Sequence, residues 1–278
     1  MSRQGGTLTL VYIHSPEEDG ADPSAASGGS SWRPGAASRF WLRCALEALS
    51  ADLVSRYGRG AEVVFKRGPY QRALEEVASA ARASRVFFGR RYEPAAAAAD
   101  ARVAEGLAAA GFEVRSFPGL LLQEPHGISI DMSKWPGGHF GSLTPFYKQW
   151  EKQPRVPEPL KPPKKLPVAA DSPAQRSTTT ITSSSSSSSS SIPSAADAVA
   201  PSPSEGAVVD WGAPIKAAWD PSERGALRLL DAFIGGGLQR YESQRAFADG
   251  RAVSRLSPYV HFGQISARLV WQRLKQAQ

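Results

Sequence analysis

The sequence has a single cysteine, Cys44, among 278 residues. No disulfide can close within the chain, and a thiolate zinc cluster is excluded. The four histidines, His14, His126, His139 and His261, are scattered without metal-ligand spacing, so no metal site is assigned. No phosphate-binding P-loop is present: the glycine run at 235–237 lacks the following lysine, and no GxGxxG occurs. No apolar run approaches the length of a membrane span, which argues against a membrane partner. The opening, MSRQGGTLTLVYIH, moves into strand-like sequence and offers neither a signal-peptide core nor a long Arg/Ser-rich transit segment. Together these absences suit an intracellular reducing compartment and leave nucleus, cytoplasm and chloroplast open.

Positive charge, by contrast, is in excess. Thirty-three Lys and Arg against 26 Asp and Glu give a net charge of +7. That favours an anionic partner in a general way, although no single basic block stands out.

Strand and helix patterns alternate over the first half. TLTLVYIH, AEVVFKRG, RVFFGR and FEVRSFPG read as strands. Between them lie three helical stretches, the first from a Ser38 cap with Phe40, Leu42, Ala45, Leu46, Leu49 and Leu53 along one face and Gly58 as its stop. The second is PYQRALEEVASAARAS, with Leu74 and Val77 inward, and the third is alanine-rich and closed by Gly111. The order β-α-β-α-β-α-β predicts a parallel, Rossmann-like sheet with helices on both faces over residues 1–155. Cys44 falls in the first helix as a small core residue.

Residues 156–208 change character. The segment is rich in proline and lysine, then in serine, with nine consecutive serines at 183–191. Such composition has almost nothing to bury and reads as a disordered linker. Residues 209–278 return to helical patterns, one around Leu227, Leu229, Leu230 and Phe233 that the glycine run at 235–237 interrupts, and another over LVWQRLKQ.

The chemistry is concentrated in SRLSPYVHFGQIS, residues 254–266. Ser257 before Pro258 fits a helix N-cap with proline at the first helical position. Ser254 lies three residues earlier, and Arg255 adds positive charge. Free N–H groups at a helix start attract phosphate, so the stretch reads either as plain capping or as a phosphate cradle.

The residues around it resemble the photolyase/cryptochrome family. YESQRAFADGRAVSRLSPYVHFGQISARLVW is similar to the opening of that family's flavin-binding domain, and WDPSERGALRLLDAF to the helix before it. Independently, YIHSPEEDG, WRPGAASRFWLRCALEALSADL, VFFGRRYEP, GFEVRSFPGLLLQEP and LTPFYKQW resemble the family's N-terminal α/β domain, closest to plant-type cryptochromes and related photolyases.

The resemblance implies an α/β domain at 1–155, a linker at 156–208 and the beginning of an all-α FAD-binding domain at 209–278. It implies that Tyr241 contacts the flavin, and that Ser254, Leu256 and Ser257, with the Arg255 backbone, hold its pyrophosphate. Arg245 corresponds to a basic residue facing DNA. The catalytic residues are not assigned. Val253 stands where the family has threonine, Ala246 where it has aspartate, Gly89 where it has asparagine, and Ala95 and Ala96 where folate-binding members have Asn-Glu. An antenna chromophore is therefore left unassigned. The family's usual opening strand is missing before TLTLVYIH, and its flavin domain would continue past Gln278, so the chain reads as truncated at both ends. Three functions follow from the resemblance. One is light-driven repair of pyrimidine dimers in DNA, and another is blue-light signalling to a protein partner. The third is an incomplete chain that does not hold flavin.

Overall fold

The computed structural model describes residues 6–15, 18, 34–128, 130–131, 133–135, 137–152, 155–169, 212–248 and 252–277. Strand β1 (Val11–His14) leads through α1 (Ala36–Tyr57) to β2 (Val64–Arg67). Helix α2 (Tyr70–Ala80) leads to β3 (Arg85–Gly89), and α3 (Pro94–Ala109) to β4 (Glu113–Phe117). The alternation follows the sequence expectation. β-branched and aromatic residues fill VYIH and RVFFG, and Pro94 opens α3 where no intrahelical N–H is needed. Gly58 and Gly111 sit at φ 87° and 92°, the left-handed backbone that closes a helix and that glycine adopts without strain.

One boundary differs. Helix α1 starts after Gly35, and Ser38 lies inside it rather than capping it. Arg39 instead ties the first turn, its backbone N–H donating to the Gly35 carbonyl (3.0 Å) and its guanidinium to that of Pro34 (2.6 Å). The buried face of α1 is Trp41, Cys44, Ala45 and Leu46, while Leu49 is exposed.

The sheet is parallel, as expected, with no pairing between β1 and β3 among the described residues. All observed pairing is parallel, but it forms two separate pairs, β1 with β2 and β3 with β4. Val11 lies opposite Val64, and Val86 opposite Val114. Each pair has its own small core. Val64 and Val77 pack together with Val11, whereas Val86, Val103 and Leu107 pack with Tyr70, Leu74, Phe112 and Val114. Helix α2 contributes to both clusters and so spans the break between them.

Residues 156–169, assigned by composition to the linker, contain neither helix nor strand yet pack on the α/β unit. The N–H of Leu8 donates to the Pro167 carbonyl (2.7 Å) and the Tyr57 hydroxyl to that of Pro163 (2.8 Å). A Cβ at Gly60 would collide with the Ala169 carbonyl. The serine-rich remainder, on which the disorder expectation rests, lies outside the described residues.

After α4 (Leu143–Trp150), the C-terminal segment contains α5 (Ala213–Ala218), α6 (Glu223–Ala232), α7 (Leu238–Gln244), α8 (Ser257–His261) and α9 (Ala267–Gln276). Ser222 caps α6, its hydroxyl accepting from Gly225 N–H at 3.0 Å, and Ser266 caps α9, accepting from Leu269 N–H at 3.1 Å. The glycine run does not interrupt the chain's helical path. Residues Phe233–Gly237 form one π-helical turn that carries α6 into α7. Glycine suits that wide turn: a Cβ on Gly237 would lie 2.7 Å from the Phe233 ring.

The helices after residue 212 bury their apolar faces against α1. Trp41 and Ala45 of α1 join Ala226, Leu230, Leu256, Tyr259 and Ile265 in one cluster. The Trp41 ring meets Tyr259 and Trp219 edge-on at 5.1 and 5.6 Å, and its indole N–H donates to Gln264 Oε1 at 2.8 Å. The two halves of the chain therefore share a core.

Candidate functional site

The loop ahead of α8 is anchored on both sides. Ala252 and Leu256 are buried, and the Leu256 side chain belongs to the Trp41 cluster. Tyr259 is buried one turn further on and donates its hydroxyl to the Asp220 carbonyl at 2.8 Å. Burial pushes the Tyr259 phenol up, with the Asp220 carboxylate adding to the shift. Asp220 is itself lowered. Burial acts upward on it, but hydrogen bonds from Ser222 and Arg228 outweigh that.

Between these anchors Arg255 is held at φ 54°, a conformation unusual for a side chain of that size. Its guanidinium lies 4.1 Å above the Trp219 ring, a cation–π contact that helps hold the strained turn. The Arg255 side chain is thus engaged with the protein, and the charge it was expected to add to the loop points onto Trp219.

The capping expectation also changes here. The residue in the N-cap position of α8 is Leu256, Ser257 is the first helical residue, and neither makes a side-chain cap hydrogen bond. Only Ser266, of the serines in this stretch, caps a helix. Among the described residues, the backbone N–H groups of Ser254, Arg255, Leu256 and Ser257 donate to no backbone acceptor. Arg255 and Ser257 are exposed and Ser254 is half-buried, while Leu256 is buried. The arrangement fits a pyrophosphate held by main-chain N–H groups, with Leu256 anchoring the turn from inside. Val253 offers no hydroxyl to such a group.

Tyr241 and Arg245 form a second group. They lie one turn apart at the end of α7, where the Arg245 N–H donates to the Tyr241 carbonyl at 2.9 Å. Tyr241 is 42% exposed and packs edge-on against Phe233 at 5.8 Å, and Arg245 and Phe247 are exposed beside it. Among the described residues no hydrogen bond or ring contact joins this group to residues 254–257. Two cavities, of about 550 and 640 Å³, are lined by other residues: one between α4, residues 155–159 and α9, the other between α1 and α6.

Several residues that hold the site escape sequence reasoning. Trp41 and Gln264 meet across 223 positions of sequence. Gly225 is required because a Cβ there would collide with the Asp220 carbonyl, and the only local signal for it is glycine inside a helical pattern.

The sequence model of the DNA photolyase family matches residues 2–165. The deoxyribodipyrimidine photo-lyase of Agrobacterium fabrum is 33% identical over 271 residues, which is 98% of this chain and 48% of that protein. Cryptochrome-1 of Arabidopsis thaliana is 29% identical over 277 residues, 98% of this chain and 35% of its own length. The crystal structure of a class III photolyase from Agrobacterium tumefaciens superposes with a TM-score of 0.72 at 31% identity, covering 97% of this chain and 48% of that one. The chain thus spans about half the length of the bacterial photolyase it matches, or less in the plant receptor. With more than half of its residues matched by the family's sequence pattern and its fold reproduced in a photolyase structure, the chain belongs to the DNA photolyase family.

Proposed function

We propose that the chain is part of a flavoprotein that repairs pyrimidine dimers in DNA under light, a deoxyribodipyrimidine photo-lyase. The observation that supports this reading is the anchored 254–257 turn, whose N–H groups have no backbone acceptor among the described residues, in a member of this family. Family membership implies a flavin cofactor, and the turn suits the pyrophosphate of FAD. When bound and photoexcited in its reduced form, the flavin supplies an electron to the dimer. This chain's own residues bind and orient. The N–H groups of Ser254, Arg255, Leu256 and Ser257 hold the two phosphates, Tyr241 offers a ring face to the flavin, and Arg245 meets a DNA phosphate.

A second reading is a blue-light receptor that signals to a protein partner, supported by the 29% identity to Cryptochrome-1 along 98% of the chain. In either case the pyrophosphate turn alone is a small share of a dinucleotide's contacts, so the isolated chain binds FAD weakly and releases it on gel filtration.

Equilibrium quenching of flavin fluorescence tests this. The chain is expected to bind FAD saturably with a Kd of about 1 mM or tighter, roughly −4 kcal/mol. Ser257→Pro, which deletes one of the phosphate-facing donors, weakens it at least about fivefold. A folded chain that shows no saturable quenching removes the flavin reading. With FAD reduced and under blue light, restoration of a dimer-containing oligonucleotide supports the repair enzyme, and flavin binding without repair supports the receptor.

A further inference from the structure

Arg255 is one of two non-glycine residues at positive φ among the described residues, the other being Arg82. Its φ of 54° is followed by −86° at Leu256. A left-handed residue beside a right-handed one turns successive N–H groups toward a common point, a main-chain concavity that suits an anion. The cost of that arrangement falls on Arg255, because a residue with a Cβ is strained in the left-handed region.

Both sides of the 255–256 peptide show what offsets the cost. The Leu256 side chain is buried in the Trp41 cluster. The Arg255 guanidinium lies 4.1 Å from the centre of the Trp219 ring, whereas the other cation–ring contacts among the described residues are at 5.2 to 5.8 Å. Trp219 is itself held. Its backbone N–H donates to the Ile215 carbonyl at 2.9 Å, and its ring meets Trp41 edge-on at 5.6 Å and Tyr259 at a tilt at 6.2 Å. Two consecutive side chains thus grip the same aromatic cluster, which fixes the peptide between them.

We infer that Arg255 and Trp219 are a positioning pair for the diphosphate. The stacked guanidinium holds the turn in its left-handed form, and main-chain N–H groups, not the arginine side chain, meet the phosphates. This rests on the flavin reading of the turn. An arginine that met the phosphates directly and one that positions the turn make opposite demands on Trp219. In the first case removal of the ring frees the guanidinium, and affinity stays or rises. In the second, removal of the ring costs as much as removal of the arginine.

A double-mutant cycle in the whole chain separates the two, with FAD as the probe and flavin quenching as the readout. Arg255→Ala and Trp219→Leu are each expected to weaken FAD binding by at least about threefold. The double variant stays within about twofold of either single one, whereas an additive loss of about ninefold overturns the pairing. Trp219→Phe keeps a ring face for the guanidinium and holds affinity within about twofold of the parent. Arg255→Gly recovers part of what Arg255→Ala loses, because glycine adopts the left-handed backbone without strain. Equal losses in the alanine and glycine variants overturn the inference. Arg255 is exposed, so that comparison decides even where Trp219→Leu unfolds the cluster. Proton NMR gives a second readout. The Arg255 side-chain protons are shifted upfield by the Trp219 ring, and the shift is expected to persist at saturating FAD. Its loss on FAD binding means that the guanidinium swings to the phosphates, and overturns the inference while leaving the flavin reading intact. A folded parent with no saturable quenching removes the flavin reading and this inference with it.

Discussion

The helices after residue 212 and the strands before residue 118 are held together in opposite ways. The helical segment supplies five of the seven buried residues of the largest cluster among the described residues, and α1 supplies the other two, Trp41 and Ala45. The strands follow the expected β-α alternation but divide into two pairs with small separate clusters. The part with the more regular sequence pattern is thus the more loosely joined. One tryptophan ring with three aromatic neighbours within 6.4 Å ties α1 to the helical segment, whereas the two strand pairs meet through α2.

Removal of Trp41 is expected to have the largest effect. Trp41→Ala deletes the centre of the shared cluster and the hydrogen bond to Gln264, and is expected to cost about 3–5 kcal/mol. Because Trp41 joins the two regions, hydrogen exchange should rise first over residues 223–270, while the β3–β4 amides keep their protection. Equal loss of protection in both regions would mean that the strands also depend on this cluster.

A matched pair of truncations is expected to separate the two regions at a smaller scale. Leu230 and Leu107 are both fully buried leucines, one in the shared cluster and one under β3 and β4. Leu→Ala in a core costs about 2–5 kcal/mol, and the value depends on how far the site can collapse. Leu230→Ala, among stiff aromatic neighbours, is expected near the upper end, and Leu107→Ala, beside an open sheet edge, near the lower end. Denaturant midpoints at unchanged slope measure the difference.

Much of this architecture is legible in the sequence, and the failures have physical causes. Helix stops at Gly58 and Gly111 are local, set by the left-handed backbone that one residue needs. The four strands are legible because each is a short run with β-branched or aromatic residues. The break between β1 and β3 is not, because pairing depends on which edges meet. The glycine run at 235–237 suggests an end to a helix on propensity alone, but packing of Gly237 against Phe233 turns it into a π-helical turn. At the candidate site, the 254–257 stretch stands out through its Ser-Pro spacing. The roles within it do not: Leu256 rather than Ser257 occupies the cap position, and Arg255 lies over Trp219. Those roles depend on Trp41, Trp219 and Asp220, which are distant in sequence.

The smallest effect concerns the polar junction at the end of the strand region. The Tyr92 hydroxyl donates to Glu124, which also accepts from Arg90 at 2.6 Å. Burial pushes the Tyr92 phenol up to about 12, helped by the hydrogen bond to Glu124 and its charge, while Arg90 and Arg268 pull the other way. An unfolded tyrosine ionises near 10. Between those values the folded chain keeps a proton that the unfolded chain has lost, so stability must fall as pH rises. The contribution is complete below about pH 10 and is lost as pH passes through about 12. Tyr92→Phe removes that slope and leaves the Arg90–Glu124 pair in place. Denaturant midpoints at pH 9 and pH 11.5 should therefore lie closer together in the variant than in the parent, with the raised Tyr259 still contributing to both, and an alkaline absorbance titration should lose one late-ionising tyrosine. If that tyrosine persists in Tyr92→Phe, the junction is not what restrains it, and the polar contacts here hold the strand region together less than the hydrogen bonds suggest.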